Sequence, residues 1–140
     1  MSQRSRILIV EDNKEHSLAL AIRLKANGFE VAFASDGAGA IRAALLQKPD
    51  LILLDLGLPA GDGFVVLERL KKLEFSITTP VIVISAREPN VNRARALEGG
   101  ARAYLQKPVN TDELLQAVQV ALDTSWDIDR YERQAKQSVQ

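Results

Sequence analysis

The sequence predicts an α/β domain built on a parallel sheet with helices on both faces, and three observations lead there. Five short apolar runs alternate along the chain with stretches whose apolar residues fall at helical spacing. Turn-forming and helix-ending residues stand at the junctions: Gly28, Ser35-Asp36-Gly37, Pro49, Gly57, Pro80 and Gly99-Gly100. Runs such as ILIV at 7–10 leave no polar face, as expected of a strand buried on both sides. Such alternation implies βαβ units with right-handed crossovers. The pattern alone leaves the strand order open.

Taken in order, Arg6–Val10 (RILIV) is the first strand. After Glu11-Asp12-Asn13, the residues Leu18, Ala21, Ile22 and Leu24 mark a helical face, and Gly28 ends that helix. Glu30–Ala34 (EVAFA) is the second strand, followed by a turn at Ser35-Asp36-Gly37. Ile41, Ala44 and Leu45 mark a second helix face that ends before Pro49. Leu51–Asp55 (LILLD) is the third strand; it closes on a carboxylate and opens into a loop with Gly57, Pro59, Gly61 and Gly63. Asp62 is a candidate cap for a third helix carrying Phe64, Leu67 and Leu70 inward. Pro80–Ser85 (PVIVIS) is the fourth strand, with proline at its first position, where the missing N–H costs little. A shorter, more polar helix covers Asn90–Glu98, and Ala103–Gln106 (AYLQ) is the fifth strand. Asn110 or Thr111 caps a last helix with Leu114, Val118, Ala121 and Leu122 on one face. Residues 124–140 turn polar, with Trp126, Ile128, Tyr131 and Val139 as their large apolar residues, and read as a tail beyond a single domain over 4–123.

Composition agrees with one globular domain. The chain has 140 residues, 46% hydrophobic and 26% charged, far from the profile of a disordered segment. Eighteen Lys and Arg balance eighteen Asp and Glu, which leads to an expectation of no direct nucleic-acid or membrane binding. Cysteine is absent, so disulfide and thiolate chemistry are excluded, and a reducing compartment fits. No signal-like segment or apolar span of about 20 residues is present. The expected location is the cytoplasm.

In a parallel sheet every strand's C-terminal end faces the same way, where open α/β sheets place their ligands. Glu11 and Asp12 follow strand one, Asp55 ends strand three, Ser85 ends strand four and Lys107 follows strand five. Three acids, a hydroxyl and an ammonium therefore gather at one edge. Clustered carboxylates raise one another's pKa values unless a cation intervenes. A hard divalent ion such as Mg²⁺ accepts one or two carboxylates together with phosphate and water. Lys107 supplies a point charge for a phosphate or for the nucleophile, and Ser85 a donor for a phosphoryl oxygen. Together these are the parts that phosphoryl transfer to a carboxylate requires.

The acidic pair in VEDN, the loop LLDLGLPAGDG, the hydroxyl in VIVISA and the YLQKP segment fall in this order at strand ends. From about Arg4 to Asp123 the chain resembles the receiver domain of bacterial two-component response regulators. The resemblance implies a flavodoxin-like, doubly wound sheet of order 2-1-3-4-5 with five helices. It implies that Asp55 accepts a phosphoryl group from a sensor histidine kinase or a histidine phosphotransfer protein. Glu11, Asp12, Asp55 and the Gly57 carbonyl would hold Mg²⁺, with Mn²⁺ as a substitute, and Lys107 would contact the phosphoryl group. Ser85 would swing toward the phosphate while Tyr104 turns inward, changing the face formed by helix four, strand five and helix five. The Lys107–Pro108 bond is expected to be cis by the same resemblance. Such a chain is a phosphoacceptor that assists its own phosphorylation and slow dephosphorylation, not an enzyme.

Plainer roles stand beside these. Asp55 and Asp12 also suit strand-end or helix-start caps, Lys107 a solvated position, and Tyr104 simple edge packing. His16, the one histidine, lies early in helix one with no partner acid evident, and is not read as a phosphodonor. Gly57 offers no side chain to the attacking water and Arg87 brings a cation near Ser85; the expectation is that these two set the aspartyl-phosphate lifetime. Val109 replaces a common Phe, and Arg102-Ala103 lies where DNA-binding regulators usually carry acids, which argues against their dimer mode. With no output module in 140 residues, the expectation is a stand-alone receiver, monomer or weak dimer, acting on an unidentified protein target. A small-substrate aspartyl-phosphate phosphatase is the competing reading; it calls for a second acid where Gly57 stands.

Overall fold

A computed structural model describes residues 4–58, 63–73 and 79–123 of the chain. The expected Asp62 cap, the turn residues Pro59 and Gly61, and the tail over 124–140 lie outside the described residues. The elements are β1 (Arg6–Val10), α1 (Lys14–Ala26), β2 (Glu30–Ala34), α2 (Gly37–Gln47), β3 (Leu51–Asp55), α3 (Gly63–Lys71), β4 (Val81–Ser85), α4 (Pro89–Glu98), β5 (Ala103–Gln106) and α5 (Thr111–Ala121). The strands pair in parallel in the order β2-β1-β3-β4-β5, the doubly wound flavodoxin-like arrangement.

Side chains alternate across the three central strands, and both faces are apolar. Leu8, Val10, Ile52, Leu54, Val81 and Val83 point to one face, under α2, α3 and α4. Ile7, Ile9, Leu51, Leu53, Ile82 and Ile84 point to the other, under α1 and α5. This is why the central runs read as continuously hydrophobic. Edge strand β2, with no helix layer closing it fully, keeps Glu30 and Phe33 exposed.

Helix starts follow the capping chemistry in the sequence. The side chains of Asn13, Asp36 and Asn110 accept backbone N–H bonds from His16, Gly39 and both Asp112 and Glu113, at 2.7–3.2 Å. Each satisfies amides that a helix leaves orphaned, worth about 1 kcal/mol per cap. Asn110 rather than Thr111 is therefore the cap of α5. Pro89 begins α4 one residue ahead of expectation, at a position where its missing N–H is no loss. Pro80 precedes β4 but lends its carbonyl to Ile52 N–H at 3.0 Å.

Two helix faces differ from the sequence reading. On α1 the buried stripe is Ser17, Leu20, Ala21 and Leu24, while Leu18 and Ile22 are 57% and 67% exposed. On α2 the buried residues are Ala40 and Ala44, and Leu45 faces outward. In both helices the small side chains let the axis approach the sheet, so the larger residues beside them turn away.

Two glycines are required by geometry. Gly28, at φ +90°, closes α1: its N–H reaches the Lys25 carbonyl at 3.1 Å and Phe29 N–H reaches Leu24 at 3.1 Å, a Schellman end. Gly63 opens α3 against β3's exit, where a Cβ would lie 2.9 Å from the Asp55 carbonyl oxygen and collide with the Leu56 backbone. Gly63→Ala is expected to cost about 3 kcal/mol through overpacking, and Gly28→Ala only about 1–2 kcal/mol, from backbone conformation in open space. Urea unfolding of the two variants checks the ranking; a reversed order would contradict the close approach at Gly63.

Candidate functional site

Glu11 just past β1, Asp55 at the end of β3 and Lys107 just past β5 are brought together by the parallel register. Lys107 Nζ lies 2.5 Å from Glu11 Oε1 and 3.0 Å from Asp55 Oδ2. Asp55 Oδ1 accepts the Gly57 N–H at 3.0 Å, a bond that folds the loop back over its own strand. Asp12 stands exposed beside this pair, and oxygens of Glu11, Asp12 and Asp55 all lie within 4.8 Å of one another. Glu11 is held by its own bond from Asn13 N–H at 3.3 Å. The Lys107–Pro108 bond is cis, as expected.

Alternation along the strands assigns roles. Asp55 continues the parity of Leu51 and Leu53, Lys107 that of Leu105, and Glu11 that of Ile7 and Ile9, so all three belong to the α1/α5 face. Ser85 and Tyr104 continue the opposite parity, toward α4. Ser85 is buried and its Oγ accepts Arg87 N–H at 3.0 Å. Tyr104 is also buried, and its hydroxyl donates to the Arg87 carbonyl at 2.8 Å. The Arg87 side chain turns back to donate to the Leu56 carbonyl at 3.4 Å, beside the Phe64 ring.

The electrostatics follow from burial and from three charges sharing one place. Burial, reinforced by the neighbouring Asp55 carboxylate, pushes Glu11 above the usual carboxylate range despite Lys107. Burial works in the same direction on Asp55, but hydrogen bonds from Glu11, the Gly57 amide and Lys107 outweigh it and hold Asp55 below its ordinary value. Burial opposes the charge on Lys107, and the two carboxylates overcome it and raise the ammonium. Asp55 thus stays ionised, and Glu11 is the acid that takes up a proton first.

One residue here was passed over in the sequence. His16, on the first turn of α1, has Nδ1 3.4 Å from Glu11 Oε1 and 3.2 Å from Lys107 Nζ. An acid does lie beside it, Glu11, and the Lys107 ammonium stands closer still. The available signal was parity, because α1 covers the sheet face that carries Glu11, Asp55 and Lys107.

The profile of the response regulator receiver domain family matches residues 7–119. The chain belongs to that family. Its receiver region is 41% identical over 116 residues to the transcriptional regulatory protein KdpE of Mycobacterium tuberculosis, covering 83% of this chain and 50% of KdpE. Similarity to the DNA-binding dual master transcriptional regulator RpaA of Synechocystis extends over 133 residues at 36% identity, covering 95% of this chain and 54% of RpaA. Among solved structures, the receiver domain of a Pseudomonas aeruginosa sensor histidine kinase, with a magnesium ion coordinated in its active-site cleft, superposes with a TM-score of 0.78. It shares 31% identity and covers 86% of this chain and 98% of that one.

These relatives correct one expectation. The zero net charge led to partners limited to a kinase and a protein target, with no nucleic acid. The relatives are transcriptional regulators, one of them named as DNA-binding, and the chain spans about half the length of the curated relatives it matches. A charge balance over one receiver describes that receiver's surface and sets no limit on what a protein of twice the length binds. A match to about half of each of these longer proteins gives no support to a stand-alone receiver. Among the described residues, no helix is long and apolar enough to cross a membrane.

Removing the shared ammonium gives a test of this balance. Lys107→Met leaves two buried carboxylates facing each other and is expected to destabilise the metal-free receiver by about 3 kcal/mol at pH 7. The loss shrinks as pH falls through the raised Glu11 pKa, where a proton replaces the missing cation. In the wild type, Asp55's contribution is present above its ordinary pKa and lost as pH falls through its lower folded value. The Lys107 contribution is present below its ordinary pKa and lost as pH rises through its higher folded value. Urea unfolding of both proteins between pH 4 and pH 8 measures this; a pH-independent difference would contradict the shared-charge account.

Proposed function

We propose that the chain accepts a phosphoryl group on Asp55, from a histidine kinase or a histidine phosphotransfer protein, in a Mg²⁺-dependent reaction. The observation that carries this reading is one geometry: an ionised Asp55 held 3.0 Å from Lys107 Nζ inside a three-carboxylate cluster. The donor set fits a hard divalent ion, because every candidate ligand is oxygen and two of the three carboxylates are buried with a single ammonium between them. Glu11, Asp12, Asp55 and the Gly57 carbonyl would hold Mg²⁺, and Mn²⁺, which also takes oxygen ligands, would substitute. Bound there, the ion supplies charge neutralisation for the carboxylates and for incoming phosphoryl oxygens.

Within that frame the chain's own groups divide the work. An Asp55 carboxylate oxygen attacks phosphorus as the donor's P–N bond breaks, forming an acyl phosphate. Lys107 turns its ammonium to a phosphoryl oxygen, and Ser85 Oγ releases Arg87 N–H to donate to another. Ser85 and Tyr104 are both tied to Arg87, one to its N–H and one to its carbonyl. Movement of Ser85 is therefore felt where Tyr104 is anchored, and the α4–β5–α5 face changes shape. The chain assists its own phosphorylation and slow hydrolysis as a phosphoacceptor, without a separate substrate. The receiver unit spans 4–123 with 124–140 as its tail, and the absence of cysteine suits the cytoplasm.

Incubation with acetyl phosphate and Mg²⁺ followed by intact mass measurement tests the reading. The wild type is expected to gain one phosphoryl group, and Asp55→Asn or chelator-treated protein to gain none. No gain on the wild type sinks the proposal. Gly57→Asn and Arg87→Glu are each expected to change the rate of phosphate loss, because Gly57 leaves the water path open and Arg87 adds a cation beside it. Unchanged decay would rule out that control of lifetime.

A further inference from the structure

Lys107 has three N–H donors, and each faces an acceptor: Glu11 Oε1 at 2.5 Å, Asp55 Oδ2 at 3.0 Å and His16 Nδ1 at 3.2 Å. An ammonium can only donate, so the approach to His16 requires the lone pair on Nδ1 and the ring hydrogen on Nε2. The 3.4 Å separation of Nδ1 from Glu11 lies beyond the good N–H···O range, which favours the same tautomer. The three acceptors differ in one respect that matters for the proposed reaction. Glu11 and Asp55 are both carboxylates that a divalent ion would claim, whereas a neutral imidazole is a poor ligand for a hard ion.

We propose that His16 is a positioning residue for Lys107: it is the acceptor that keeps the ammonium over Asp55 once the metal engages both carboxylates. The inference rests on the phosphoacceptor reading above and adds to it a residue from outside the strand ends. The position of α1 makes the contact well defined. Arg23, two turns further along the same helix, donates to the Val109 carbonyl at 2.7 Å and so fixes α1 against the segment that follows Lys107. His16 N–H is itself bound to the Asn13 cap at 3.0 Å, which seats the residue in the first turn. Its side chain is 54% exposed, so substitution there removes little packing. Without His16, an ammonium displaced from Glu11 has Asp55 as its one remaining acceptor among the described residues and swings on a flexible four-carbon stem.

Three proteins decide the matter: the wild type, His16→Leu with no acceptor, and His16→Asn, whose Oδ1 falls where Nδ1 stood. Phosphorylation by acetyl phosphate in saturating Mg²⁺ is followed by intact mass, Mg²⁺ affinity by calorimetry, and the Lys107 ammonium by ¹H–¹⁵N NMR of the Mg²⁺-bound protein. His16→Leu is expected to slow phosphorylation roughly tenfold, the scale of one lost hydrogen bond, and to erase the ordered Lys107 ammonium signal. His16→Asn is expected to restore the signal and bring the rate within about twofold of wild type, with Mg²⁺ affinity equal in all three. Equal rates and signals in wild type and Leu overturn the proposal, as does an Asn variant no better than Leu. Parallel loss of Mg²⁺ affinity also overturns it, by making His16 a ligand. A wild type that gains no phosphoryl group defeats the phosphoacceptor reading instead, and the NMR comparison still decides the contact.

Discussion

The ammonium of Lys107, set between two carboxylates largely withdrawn from water, is the interaction on which the rest of the site depends. Opposite charges about 3 Å apart at an effective dielectric near 20 attract by roughly 5 kcal/mol. Removing each ion from water costs several kcal/mol, so the arrangement is close to balance. Burial, and then the second carboxylate beside it, raises Glu11, while the hydrogen bonds around Asp55 and the two acids around Lys107 keep those two ionised. Carboxylates crowded in this way are the setting in which a further cation would be favoured. The Mg²⁺ binding proposed above would relieve the same crowding of carboxylates.

Such a balance holds only if the three groups stay where they are, and the sheet supplies that constraint. Glu11, Asp55 and Lys107 are distant in sequence but share a parity along neighbouring or near-neighbouring parallel strands. The opposite parity carries Ser85 and Tyr104 to the α4 side. One edge of one sheet therefore separates the groups that would handle phosphorus from those that would report it. Arg87 is where the two sets meet, through its backbone on one side and through the Leu56 carbonyl, next to Asp55, on the other. The coupling is short because β3 and β4 are adjacent.

Several features were legible before any coordinate was known. Strand positions and the gathering of Glu11, Asp12, Asp55, Ser85 and Lys107 follow from apolar runs and from the single direction of a parallel sheet, whereas Asn13 rather than Asp12 caps α1. The α1 and α2 faces did not follow, because Leu18, Ile22 and Leu45 are better hydrophobes than Ser17, Ala40 and Ala44. Close packing against a sheet selected small side chains over hydrophobic ones. The nucleic-acid expectation failed for another reason: net charge was taken as a property of the whole protein when it belongs to the receiver's surface.

By itself the sequence determined the fold class, the strand positions and which residues stand at strand ends, since hydrophobic period and turn residues are local properties written in consecutive residues. Only the tertiary structure decided that His16 joins Lys107, that Tyr104 and Ser85 meet on Arg87, and that Glu11 rather than Asp55 yields to a proton. Those outcomes depend on how α1 and the loop after β4 sit over the sheet, and on how much water each carboxylate keeps. Both are set by packing between segments far apart in the chain, and no single stretch of residues encodes them.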